Sequence, residues 1–98
     1  MLDLPKELTH AQANACLAQL MNGLRAESGP DVLVNATPLN RFDSAALAVL
    51  LEFRRQTLAL GKRFSIHGLP DRLGNLATLY GIMDLLPSDA LPPLSPVK

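Results

Sequence analysis

Two histidines, one cysteine and an Asp-Ser pair are the raw material from which this 98-residue chain would have to build a catalytic or ligand site. His10 and His67 lie far apart, and neither has metal-ligand spacing to a cysteine or carboxylate. The glycines are scattered, and none opens a helix in the pattern that cradles a phosphate. Ser44 follows Asp43, but nothing around it resembles a nucleophile elbow. Cys16 has no second cysteine to pair with, so no internal disulfide supports an oxidising compartment. With no neighbouring charge to favour a thiolate, it reads as a small buried hydrophobe. The expectation is a protein with no catalytic residue, no metal and no cofactor.

Charge and hydropathy narrow the partners. Acidic and basic side chains cancel at nine each, which leaves no broad basic face for nucleic acid. The start, Met1 to Lys6, lacks the basic residues and apolar stretch of a signal peptide. The longest uninterrupted apolar run, Ala45 to Leu51, is far short of the roughly 20 residues that cross a bilayer. No direct membrane insertion is expected, and the location expected is cytoplasmic. With 48% hydrophobic residues and room for one modest core, a chain this small tends to leave apolar surface that a partner covers.

The elements that must position these residues follow from periodicity. Met1 to Leu4 reads as the end of a strand stopped by Pro5. Thr9 and Gln12 have capping-box spacing, and the helix they open shows Ala13, Leu17, Leu20, Met21 and Leu24 on one face. Ser28-Gly29-Pro30 ends it. Asp31 to Ala36 and Arg63 to His67 are β-type runs, the latter with Phe64 and Ile66 on one side. A second helix runs from Asp43-Ser44 to Gly61, and a third follows Pro70 with Leu73, Leu76, Ala77 and Tyr80 on one face until Gly81. Ile82 to Leu86 reads as a short final strand. This alternation predicts an α/β fold, a small and largely parallel sheet with crossover helices. Residues 1–87 form the domain, and proline recurs too often over 88–98 for regular structure, which predicts a flexible tail.

On a helical wheel at about 100° per residue, the second helix has more apolar surface than one packing face needs. Ala46, Val49, Leu50, Phe53, Thr57 and Leu60 cluster as a core side. Leu47, Leu51 and Leu58 form a second stripe, edged by Arg54 and Arg55, with Ser44 at its N-terminal end. Either neighbouring helices cover that stripe, or it is an interface of leucine anchors with an arginine rim. Ser44 itself is placed as the hydroxyl N-cap of the helix.

The run Phe42-Asp43-Ser44-Ala45-Ala46-Leu47-Ala48-Val49-Leu50-Leu51, after the strand Val32-Leu33-Val34, resembles the signature of STAS domains. These are shared by sulfate transporters and bacterial anti-sigma factor antagonists. The run Gly68-Leu69-Pro70 through Leu76-Ala77-Thr78-Leu79-Tyr80-Gly81-Ile82 to Leu85-Leu86-Pro87 is similar to the small STAS subunit of the Mla-type ABC transporter, which maintains outer-membrane lipid asymmetry. The resemblance implies a STAS fold and a non-catalytic cytoplasmic subunit, peripheral to the inner membrane, that binds the transporter's ATPase and supports its assembly and activity. It places Asp43 and Ser44 in the contact, which agrees with the leucine stripe and extends the expected partner-binding set to Leu47, Leu51, Arg54, Arg55 and Leu58. The alternative it implies is an antagonist-like signalling domain that binds a serine kinase, with Ser44 as phosphoacceptor. The family's usual phosphorylated residue corresponds to Ala45, and Ala46 replaces a glycine. Family members usually begin with a further strand that pairs beside Leu4, so the resemblance also implies either a sheet one strand short or a truncated start, with an edge open for self-pairing.

Overall fold

Gln12 reaches back to the start of the first helix: its side-chain Oε1 accepts from the Thr9 amide at 2.8 Å and from the Thr9 hydroxyl at 2.6 Å. Half of the expected capping box thus forms, while the threonine hydroxyl turns to Gln12 and not to the backbone. In the computed structural model, which describes residues 2–86, helix α1 then spans Ala13–Ala26. The other helices are α2, Ala45–Ala59, and α3, Asp71–Leu79.

Five short strands accompany them: β1 (Leu2–Asp3), β2 (Glu7–Leu8), β3 (Asp31–Asn35), β4 (Arg41–Phe42) and β5 (Arg63–His67). β1, β3 and β5 form a parallel sheet in that order, with Leu2 opposite Val34 and Val34 opposite Ile66. β2 and β4 form a separate parallel pair, Glu7 opposite Arg41 and Leu8 opposite Phe42. The architecture is the expected α/β one. β1 is an outer strand of only two residues, so the edge left for self-pairing is short.

Alternation within the strands decides where the core sits. Val32, Val34, Phe64 and Ile66 share one face and are buried in a single cluster with Cys16, Leu20, Leu24, Leu50, Phe53, Leu73 and Ala77. All three helices therefore contribute to one core, and the Phe53 and Phe64 rings meet edge to face at 6.1 Å. The opposite face is polar apart from the half-buried Leu33. There Arg63 pairs with Asp31, and the Asn35 amide donates to Asp3 at 3.0 Å. Parallel sheets are ordinarily covered on both faces and read as continuous apolar runs. Here burial alternates along β3 and β5, although Val32-Leu33-Val34 is itself a continuous apolar run, and the sheet is packed more fully on one side.

Gly23 lies in the interior of α1, where glycine costs about 1 kcal/mol against alanine. A Cβ there would meet the Leu2 side chain at 2.5 Å, so the missing side chain lets β1 approach the helix.

Both α2 and α3 end in a paired-bond turn around a glycine in the left-handed conformation. Gly61 donates to Leu58 and Lys62 to Thr57 at the end of α2; Gly81 donates to Thr78 and Ile82 to Ala77 at the end of α3. Two expectations are corrected by these turns. Leu60 falls just past the last helical residue and is 58% exposed, not part of the core side. After Gly81 the chain folds back, and Met83–Leu85 is a 3₁₀ turn instead of a strand, with Leu86 buried beyond it. The proline-rich stretch over 88–98 lies outside the described residues.

Candidate functional site

The β2–β4 pair brings the start of α2 against the turn before α1. Its register places Thr9-His10 beside Asp43, and the Asp43 carboxylate uses both oxygens. Oδ1 accepts from the Ala45 amide at 2.8 Å, and Oδ2 accepts from the His10 amide at 3.2 Å. The Asp43 carbonyl also accepts from Ala46 at 3.0 Å, the first bond of the helix. Asp43 is therefore the residue that caps α2. Ser44, expected to cap through its hydroxyl, already has helical dihedrals (φ −64°, ψ −16°) and makes no capping bond. The reason is competition: the aspartate one residue earlier has a charged acceptor with the right reach, and takes the free amide. Ser44 is left exposed on the first turn.

Along α2 the burial pattern separates two sides. Ala46, Val49, Leu50, Phe53 and Thr57 are buried as expected, and the Thr57 hydroxyl donates to the Phe53 carbonyl at 2.8 Å. Leu47 does not belong to the outward stripe. It is 2% exposed and joins the single core cluster, to which α1 contributes Cys16, Leu20 and Leu24 and on which α1 and α2 pack together. The outward side instead runs through Ser44, Ala48, Leu51, Arg55 and Leu58, at successive spacings of four and three residues. Ser44, Ala48, Arg55 and Leu58 are exposed, and Leu51 is half-buried against the core. Arg54 is half-buried at the border.

Ala48 is the residue that attention to large side chains missed. The signal was present in the sequence, since only Ala48 completes the four-three spacing between Ser44 and Leu51. A small residue there leaves room for a close neighbour.

The electrostatics of this side are local. Arg55 donates to both carboxylate oxygens of Glu52, at 3.0 and 2.6 Å, and Gln56 adds a third bond at 2.8 Å. These bonds, the one from Arg55 first, pull the Glu52 carboxyl down to about 2 and push the Arg55 guanidinium up. Arg55 is thus held in place by its own helix, whereas Arg54 has no salt bridge among the described residues. Burial alone raises the Cys16 thiol, which keeps it protonated and inert.

Among the described residues, no group of three or more His, Cys, Asp or Glu side chains is placed to hold a metal, and no helix is long and apolar enough to cross a membrane. The arrangement around α2 offers a rigid helix start, an exposed hydroxyl and an apolar stripe with one fixed cation. Comparison with protein families matches residues 1–87 to the family described as "Mlab, STAS domain". No curated protein matches the chain.

Proposed function

From the premise that this chain belongs to the STAS domain family in its Mlab form, we propose that it is a non-catalytic subunit that docks on the ATPase of a phospholipid-transporting ABC complex. It supports the assembly and activity of that complex from the cytoplasmic side of the inner membrane, bound to its partner and not inserted in the lipid. The observation that carries this reading is the outward side of α2, where Ser44, Ala48, Leu51, Arg55 and Leu58 line up on a helix whose other side is core. Their spacing is that at which a second helix packs along the first. The contact set proposed is Asp43, Ser44, Leu51, Arg54, Arg55 and Leu58, with Ala48 added and Leu47 removed to the core.

The test is capture of the ATPase subunit from the same organism by the tagged chain. Leu58→Asp places a charge at a position already 43% exposed, so the domain stays folded. Capture by the unaltered chain and its loss in Leu58→Asp are the expected results. Equal capture by both removes Leu58 from the contact. No capture by either removes the ATPase as partner.

One observation favours a second reading. The Ser44 hydroxyl is exposed and not used as a cap, so a kinase has access to it, as an antagonist-like signalling domain requires. Phosphate at Ser44 that rises and falls with growth conditions, measured by mass spectrometry, would establish that reading.

A further inference from the structure

Beside Asp43, the half-buried ring of Phe42 is covered by Arg72, whose guanidinium carbon lies 5.1 Å from the ring centroid. On one side of this stack a hollow of about 340 Å³ opens between β4 and α3, lined by Phe42, Arg72, Asn75, Leu76 and Leu79. On the other side a smaller one of about 260 Å³ continues past Leu39, Pro70 and Asp71. Leu79, at the rim of the larger hollow, is 76% exposed, and its chain neighbour Tyr80 is 55% exposed. Leu79 is the most exposed large hydrophobic among the described residues and Tyr80 the third, so the end of α3 is an apolar surface that the described part of the fold leaves uncovered.

Charge says what kind of occupant fits. Arg55 and Arg63 are satisfied by carboxylates, whereas Arg72 has no salt bridge among the described residues. Among the described residues that line the larger hollow, Arg72 is the only charged one and Asn75 supplies the one side-chain amide. A guanidinium over an aromatic ring still has N–H groups to offer a carboxylate. The smaller hollow already contains Asp71, so an anion is directed to the larger one.

We propose that the groove between β4 and α3 takes a protein segment that presents an apolar side chain beside a carboxylate, the apolar group resting on Phe42, Leu76 and Leu79 and the carboxylate meeting Arg72. The inference rests on the docking reading above: the segment belongs to the same ATPase partner, and the groove adds an anchor beyond the α2 stripe, next to the cap at Asp43.

The test measures the affinity of the full-length chain for the ATPase subunit at low and high salt. Leu79→Ser and Arg72→Gln alter exposed side chains and leave the melting temperature near that of the unaltered protein. Each is expected to weaken binding about tenfold or more, as central anchors do. Arg72→Gln also flattens the salt dependence, and Arg72→Lys recovers part of the loss. Arg25→Gln, which removes the same charge from α1, leaves affinity unchanged. If Leu79→Ser and Arg72→Gln bind as well as the unaltered chain while Leu58→Asp does not, the groove is overturned and the docking reading stands. If the unaltered chain does not bind the ATPase, both fall. If replacing Leu91 and Leu94 with serine shifts the amide resonances of residues 72–79 in the free protein, the chain's own C-terminal residues fill the groove, and the proposal for a partner segment is overturned.

Discussion

The Asp43 carboxylate holds the His10 amide at 3.2 Å across 33 residues of sequence, while its other oxygen caps the helix that begins two residues later. One side chain thus locks the turn before α1 to the start of α2. Whatever docks at Ser44 meets a helix end whose position is set by two elements and not by one.

This division of labour predicts opposite outcomes for adjacent residues. Asp43→Ala removes the cap and the cross-link, and is expected to cost about 1–2 kcal/mol in urea unfolding. Ser44→Ala removes no capping bond and is expected to stay within about 0.5 kcal/mol. A larger loss for Ser44→Ala than for Asp43→Ala would return the cap to the serine.

A second contrast separates core from contact on α2. Leu47→Ala is expected to destabilise the domain by about 2–5 kcal/mol, since it empties a site that is 2% exposed. Leu58→Ala should leave the unfolding midpoint nearly unchanged. Similar stability for both variants would mean that Leu47 is not buried in solution.

The Glu52 carboxyl provides a pH readout on the outward side. Its folded value of about 2 lies below the ordinary 4.5. The stabilisation from its bonds to Arg55 and Gln56 is therefore fully present above about pH 4.5 and fades as the pH falls through about 2. Carboxyl titration by NMR should place Glu52 well below the ordinary carboxylate range. In Arg55→Ala its midpoint should climb toward the ordinary value. An unchanged midpoint in that variant would show that Arg55 is not its main partner.

Lys62 closes the other end of the α1–α2 pair. Its ammonium donates to the Glu27 carbonyl at 2.9 Å and the Gly29 carbonyl at 2.6 Å, so a residue after α2 satisfies the chain leaving α1. A cation at a helix C-terminus is favourable, and Lys62→Met is expected to cost about 1 kcal/mol. Amide exchange over residues 24–29 should quicken in that variant. Unaltered exchange there would detach Lys62 from the end of α1.

Much of this was legible in the residues. The three helices, β3, β5 and most of their buried residues follow from the sequence, because burial on one side imposes its period on it; Tyr80, expected on the apolar face of α3, is 55% exposed instead. Gly61 and Gly81 announced where α2 and α3 stop, and the run from Phe42 to Leu51 announced the family. Three things were decided only in three dimensions. β2 and β4 are two residues each, too short to show a period, yet their pairing brings His10 to Asp43 and makes the aspartate the cap. Leu47 and Leu58 sit only about 20° apart on the wheel of a straight helix, so no pattern within α2 distinguishes them. Packing by the neighbouring elements, α1 among them, buries Leu47 to 2% exposure and leaves Leu58 exposed, which makes one core and the other surface. The stack of Arg72 on Phe42 joins residues 30 positions apart, and its hollow exists only because α3 returns beside β4. A sequence specifies which side of each element is apolar; which apolar residues remain uncovered depends on where the neighbouring elements end.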